Sequence, residues 1–299
     1  MKPVYLLIGA LALAACDSKT TSAPASESAP AVVASVSEAP VVESRLDQVL
    51  AAQSDDTKAR YEYRHPKETL EFFGIQPGMT VVEALPGGGW YSQILVPYLG
   101  SQGKLIGADY DLDMWSNFGW VNDQFIESRK AWPAEWTGKA EEWGQGQGAA
   151  AEAYTFSEIP AELDGKVDAV LLIRALHNLY RYENNGQHMS RALKRSFDLL
   201  KSGGVVGIVQ HEAREDKSDE WADGSNGYLK KSTLIAAVQA VGFEFVGESD
   251  INANPKDQPG DADNVWRLPP SLRTDSEEQK AANLAIGETH RMTLLFRKP

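Results

Sequence analysis

The sequence predicts an α/β fold with a mainly parallel sheet, and three observations carry that expectation. Short apolar runs alternate with stretches of helical periodicity along most of the chain. One of them, Val167 to Ile173 (VDAVLLI), is apolar throughout, as a central strand covered on both faces must be. Three consecutive glycines, Gly87, Gly88 and Gly89, stand between another apolar run and the helix that follows it. Glycine there permits a sharp strand-to-helix turn and close approach of backbone to a ligand.

The 299 residues include one cysteine, Cys16. A single thiol excludes an internal disulfide framework and cysteine-based metal clusters. Lys2 is followed by an apolar run from Val4 to Ala15, too short for a spanning helix of roughly 20 residues. The run ends Leu13-Ala14-Ala15-Cys16, which resembles the lipobox of bacterial lipoprotein signal peptides. The resemblance implies a signal peptide over 1–15, lipidation of Cys16, export, and anchoring to an envelope membrane on its periplasmic side. Asp17 resembles an inner-membrane retention signal. Residues 16–42 are rich in Ser, Ala and Pro and read as a flexible tether. The folded domain is expected over 43–299.

Residues 43–60 are expected to form a polar amphipathic helix, and Pro66 to open another that Gly74 stops. Met79 to Leu85 (MTVVEAL) reads as the first strand. Trp90 to Leu99 reads as a helix whose last turn Pro97 distorts. Leu105 to Ala108 is the second strand, and a third is placed near Ala151 to Phe156. Val167 to Ile173 is the fourth. A helix over 187–200, ended by Lys201-Ser202-Gly203-Gly204, leads to a fifth strand, Val205 to Val209. A helix over 231–241 precedes a strand at Phe243 to Val246, and Met292 to Phe296 closes the chain. No helix is evident between these last two strands, which suggests an antiparallel closing pair with a long insertion.

The turn reads Glu83-Ala84-Leu85-Pro86-Gly87-Gly88-Gly89, and Asp109 ends the second strand twenty residues later. An acid there can accept hydrogen bonds from both ribose hydroxyls of a nucleoside cofactor. This pattern resembles the class I S-adenosylmethionine-dependent methyltransferases. HPKETLEFFGIQPGMTVVEALPGGGWYSQILVPYL is similar to a subgroup of bacterial methyltransferases with a Pro-Gly-x-Gly-Trp-Tyr turn, from about Arg60 to Pro299. The chain departs from the family at Leu85, where the first glycine usually stands. The resemblance implies a Rossmann-like, seven-stranded sheet of order 3-2-1-4-5-7-6 with strand seven antiparallel. It implies S-adenosylmethionine as cofactor, with Glu83 at the methionine amino end and Pro86, Gly87, Gly88 and Gly89 forming the backbone cradle. Asp109 would hold the ribose, with Asp111 as an alternative. A nicotinamide Rossmann domain is the enzymatic rival, but Ser92 stands where its third glycine is needed.

Methyl transfer places its acceptor beyond the ends of strands four and five. His177 and His211 lie there and are the candidate catalytic bases. A metal held by them with Glu212 or Asp109 is an alternative without supporting ligand spacing. Arg64 and His65 precede the Pro66 helix, where a surface cluster is the preferred reading. Five of the eight tryptophans, Trp115, Trp120, Trp132, Trp136 and Trp143, fall where an inserted segment could roof the pocket, although helix packing is expected for most. Asn254 to Arg273, with Trp266, is a candidate second lid, and Tyr228 a candidate pocket residue. The net charge of −13, with no run of Lys/Arg longer than two, disfavours nucleic acid as a partner. The expected acceptor is a small apolar or aromatic molecule. A non-catalytic module that binds a nucleoside or hydrophobic ligand is the alternative.

Overall fold

The computed structural model describes residues 43–299. The expected signal peptide, Cys16 and tether lie outside the described residues. The expected 43–60 helix is instead two, α1 (Arg45–Ala51) and α2 (Asp55–Lys58). Ser54 separates them, because its side chain accepts from the Thr57 N–H and so caps a new helix. α3 (Tyr61–Arg64) and α4 (Pro66–Phe72) follow, the latter opened by Pro66.

β1 (Thr80–Ala84) runs through the glycine turn into α5 (Ser92–Leu99). Pro97 leaves the Gln93 carbonyl without its helical donor, and the Gln53 side-chain amide donates to it at 3.2 Å. β2 (Lys104–Asp109) leads through α6 (Leu112–Trp115) to α7 (Asp123–Gly144). β3 (Ala150–Thr155) and β4 (Val167–Ile173) fall where expected. After α8 (Leu176–Arg181) and α9 (His188–Leu199) comes β5 (Leu200–Ala213). This strand is longer than expected at both ends. Leu200 pairs with Val167, the Lys201–Gly204 segment bulges, and pairing resumes with Val205 opposite Ala169. The glycine pair therefore makes a bulge within a strand.

β6 (Leu229–Lys230) is a short strand on β5, beyond the seven expected. α10 (Lys231–Ala240) and β7 (Glu244–Ser249) follow. The gap before β8 (Arg291–Arg297) holds a helix after all, α11 (Glu277–Ile286). Its sequence gives little amphipathic signal because it buries no residue, and Ser276 caps it instead.

The sheet order is β3-β2-β1-β4-β5-β8-β7, with β6 off this path. The first five strands are parallel, and β8 is antiparallel to both its neighbours. With β6 left out of the numbering, this is the expected Rossmann-like order. Alternation sorts each strand onto two cores. Val82, Ile106, Val170 and Ile208 face α9 and α10, whereas Val81, Leu105, Ala169 and Val209 face α1, α4, α5 and α7. Trp132 and Trp136 of α7 belong to the second core, so their role is packing. Gly107 makes room for Trp136, whose ring an added Cβ would meet at 3.1 Å.

Candidate functional site

The carboxyl ends of β1, β4 and β5 meet the amino end of β8 on one edge of the sheet. Leu85 and Arg174 occupy equivalent places, each directly after its strand. Each donates its N–H to the next strand at 2.7 Å, Leu85 to the Ala108 carbonyl and Arg174 to that of Val209. Each then turns through left-handed backbone, φ 50° and 57°. That conformation is unfavourable by roughly 1–2 kcal/mol for a residue with a Cβ. Leu85 thus keeps the backbone shape that a glycine would take.

Above these ends lies a cavity of about 480 Å³, within the range of small-molecule sites. Pro86, Gly87 and Gly88 form one side, His177 and His211 the floor, and Trp90 and Trp266 the aromatic walls. The insertion that carries Trp266 is pinned by Asp257. That carboxylate accepts from Arg267, Tyr228 and the His290 N–H. The expected second lid is therefore part of the wall, while Tyr228 is wholly buried beside it. The roof expected from residues 115–143 is not there: Trp90 and Trp266 supply the aromatic surface.

Arg64 is 2 % exposed and lines the cavity, so the surface-cluster reading fails for it. Its Nε donates to Glu288 at 3.1 Å and its guanidinium lies 4.5 Å from the Trp90 ring centre. Among the described residues its buried Nη1 has no acceptor, nor has the Trp90 Nε1. Glu288 also pairs with Arg60 at 2.9 Å and with Arg291 at 3.1 Å. Burial works to raise the Glu288 carboxyl, but Arg291, Arg64 and Arg174 outweigh it and hold it below its ordinary range. Burial lowers Arg64 to about 9, with Arg174 adding to the effect, so it stays charged at neutral pH.

His177 and His211 stand 5.6 Å apart, ring centre to ring centre. The His211 Nδ1 meets the Thr289 hydroxyl at 2.5 Å. Burial drives His177 down to about 4, against the hydrogen bond to Gln210, and the charges of Arg174 and Arg181 push the same way. His211 is pushed well down by burial, then by His177 and Arg174. Both rings are neutral at pH 7. Glu212 points elsewhere, to Lys231 and His290. Among the described residues, no group of three or more His, Cys, Asp or Glu is placed to hold a metal ion.

The other expected cofactor residues are not in the cavity wall. Glu83 is buried in β1 and accepts from the Ser92 hydroxyl at 2.7 Å. Burial raises it to about 7, with Ser92 and then Arg174 opposing. Gly89 does not offer its N–H to a ligand, because that group donates to the Pro86 carbonyl at 2.8 Å, and an added Cβ would lie 2.1 Å from the Trp143 ring. That glycine serves the packing of α7. Asp109 is 4 % exposed and accepts two bonds from Arg129, at 2.9 and 2.6 Å. Trp115, Phe125 and Trp132 surround the Arg129 guanidinium. Asp111 is taken as well, by the Ser157 N–H and Arg191. A larger cleft of about 610 Å³ between α1, α5 and α7 includes none of the strand-end residues, although Gln93 lines both cavities.

Arg60, Arg174, Glu288, Thr289 and Trp90 enter the site without a sequence expectation. Only Arg174 had a readable signal: a charge directly after seven apolar strand residues stands at a central carboxyl end, where ligands bind.

No family model matches the chain. Over 51 residues it is 41% identical to the ribosomal RNA small subunit methyltransferase H of Flavobacterium psychrophilum. The match covers 17% of this chain and 18% of that protein, so the chain spans less than a fifth of that relative's length. A SAM-dependent methyltransferase from Aquifex aeolicus is 17% identical, over 69% of this chain and 93% of its own, at a TM-score of 0.44. A geranyl diphosphate methyltransferase in complex with SAM is 14% identical, over 88% and 93%, at a TM-score of 0.46. The Rossmann-like assignment stands on the strand order itself.

Proposed function

We propose that the chain transfers a methyl group from S-adenosylmethionine to a small molecule at a bacterial envelope membrane. The observation that carries this reading is the open turn after β1. Gly87 and Gly88 line the cavity, and a Cβ added at Gly88 would meet no heavy atom within 4 Å. Backbone this open lets a ligand reach peptide N–H groups. The residues therefore fit the amino-acid end of the cofactor. At the nucleoside end Asp109 accepts from Arg129, and a ribose held there would take Arg129's place.

The cofactor supplies an activated methyl group on a sulfonium. The chain binds, orients and excludes water. Trp90 and Trp266 wall the acceptor's place, and neutral His177 and His211 present ring nitrogens to an acceptor that must lose a proton. Lipidated Cys16 and the 16–42 tether would hold the domain at the membrane. The net charge of −13 argues for a small acceptor over nucleic acid.

Calorimetric titration of the full chain with S-adenosylmethionine tests the reading. Saturable binding is expected, weakened at least about tenfold by Gly88→Val, which fills the open turn. An absence of binding would overturn it. The Asp109–Arg129 pair favours a second reading, a ligand-binding module on the same fold. Binding without any methylated product from labelled cofactor would select that alternative.

A further inference from the structure

Four guanidiniums, those of Arg60, Arg64, Arg174 and Arg291, gather about one low-lying carboxylate, Glu288. Burial raises Glu83, the other acid within their field, to about 7, so it carries only part of its charge at neutral pH. Arg174 forms no ion pair among the described residues, and Glu288 and Glu83 oppose its charge only across space. Its backbone is held in the left-handed region to place it at the β4 end, and strain of this kind clusters at ligand sites. Arg64 adds a buried Nη1 without an acceptor among the described residues. Arg64 and Arg291 are buried while Arg60 and Arg174 are half-buried, and a surplus of positive charge withdrawn this far from water is costly unless an anion meets it.

S-adenosylmethionine cannot remove that surplus, because its one carboxylate is outweighed by an ammonium and a sulfonium. Resting on the methyltransferase reading, we propose that the molecule to be methylated carries an oxyanion, a carboxylate or phosphate, held by Arg174 and Arg64 with its apolar body between Trp90 and Trp266. A guanidinium matches such a group with two parallel N–H bonds. An acceptor of this kind also completes the site chemically. Burial is the main cause that depresses both histidines and Arg174 adds to it, so a bound anion offsets the Arg174 share of that depression.

The test titrates the full chain with benzoate against benzamide, and with phenyl phosphate against phenol, by calorimetry and tryptophan quenching. Each anion is expected to bind at least about tenfold more tightly than its neutral partner. The better anion identifies carboxylate or phosphate. Arg174→Gln should abolish the preference, Arg174→Lys should restore part of it, and both should keep the wild-type melting temperature within a few degrees. Affinity for S-adenosylmethionine should change less than about twofold in Arg174→Gln. Equal binding of anion and neutral partner would overturn the proposal. So would a loss of S-adenosylmethionine affinity in Arg174→Gln as large as the loss for the anion, which would assign the arginines to the cofactor's own carboxylate. Failure of the wild type to bind S-adenosylmethionine is a separate result. It removes the methyltransferase reading, whatever the anion preference.

Discussion

His177 shows what the site does to a single residue. Free imidazole titrates near 6.5, but burial holds this ring down to about 4. Between those values the unfolded chain binds a proton that the folded chain refuses. Stability is therefore full above about pH 6.5 and falls as pH drops toward 4. A shift of this size is worth at most roughly 3 kcal/mol. Chemical denaturation at pH 7.5 and 4.5 should show a loss on acidification that His177→Asn makes smaller. An equal loss in the variant would mean that the ring does not titrate in this range. The residue type and its place after β4 were legible in the sequence. The depressed basicity was not, because it comes from burial under the Trp266 insertion and from Arg174.

At the scale of elements, the β1–α5 turn divides its glycines between two tasks. Gly89, at φ 80°, faces the Trp143 ring of α7, whereas the Cβ position of Gly88 is open. Gly89→Ala should cost about 2–4 kcal/mol, because it combines strained backbone with a clash against a packed indole. Gly88→Ala should cost less than about 0.5 kcal/mol. Thermal melts of the two variants check the contrast, and similar losses would show that the turn acts as one rigid unit. Three adjacent glycines read alike in sequence, and only the docking of α7 distinguishes them. The same limit explains the helices. The 43–60 pattern looked continuous, but Ser54 competes with it as a cap. α11 went unseen because a helix that buries no side chain leaves no apolar stripe.

At the scale of the whole molecule, a chain of net charge −13 encloses a positive cavity. No Lys/Arg run is longer than two, yet arginines come together from positions 60, 64, 174 and 291. The anchoring proposal belongs to this scale too. Intact mass measurement of the membrane-extracted protein should show residues 1–15 removed and a diacylglycerol on Cys16, and an unmodified thiol would overturn that reading. The sequence by itself determined the order of the seven main strands, the two-faced burial of β4 and the glycine turn after β1. These follow from periodicity and local backbone preference, which act over a few residues. The tertiary structure alone decided that Arg129 would claim Asp109 and that Glu288 would gather arginines around a cavity. Long-range charge pairing depends on which strand ends and insertions the sheet order brings side by side, and nothing local in the chain encodes that.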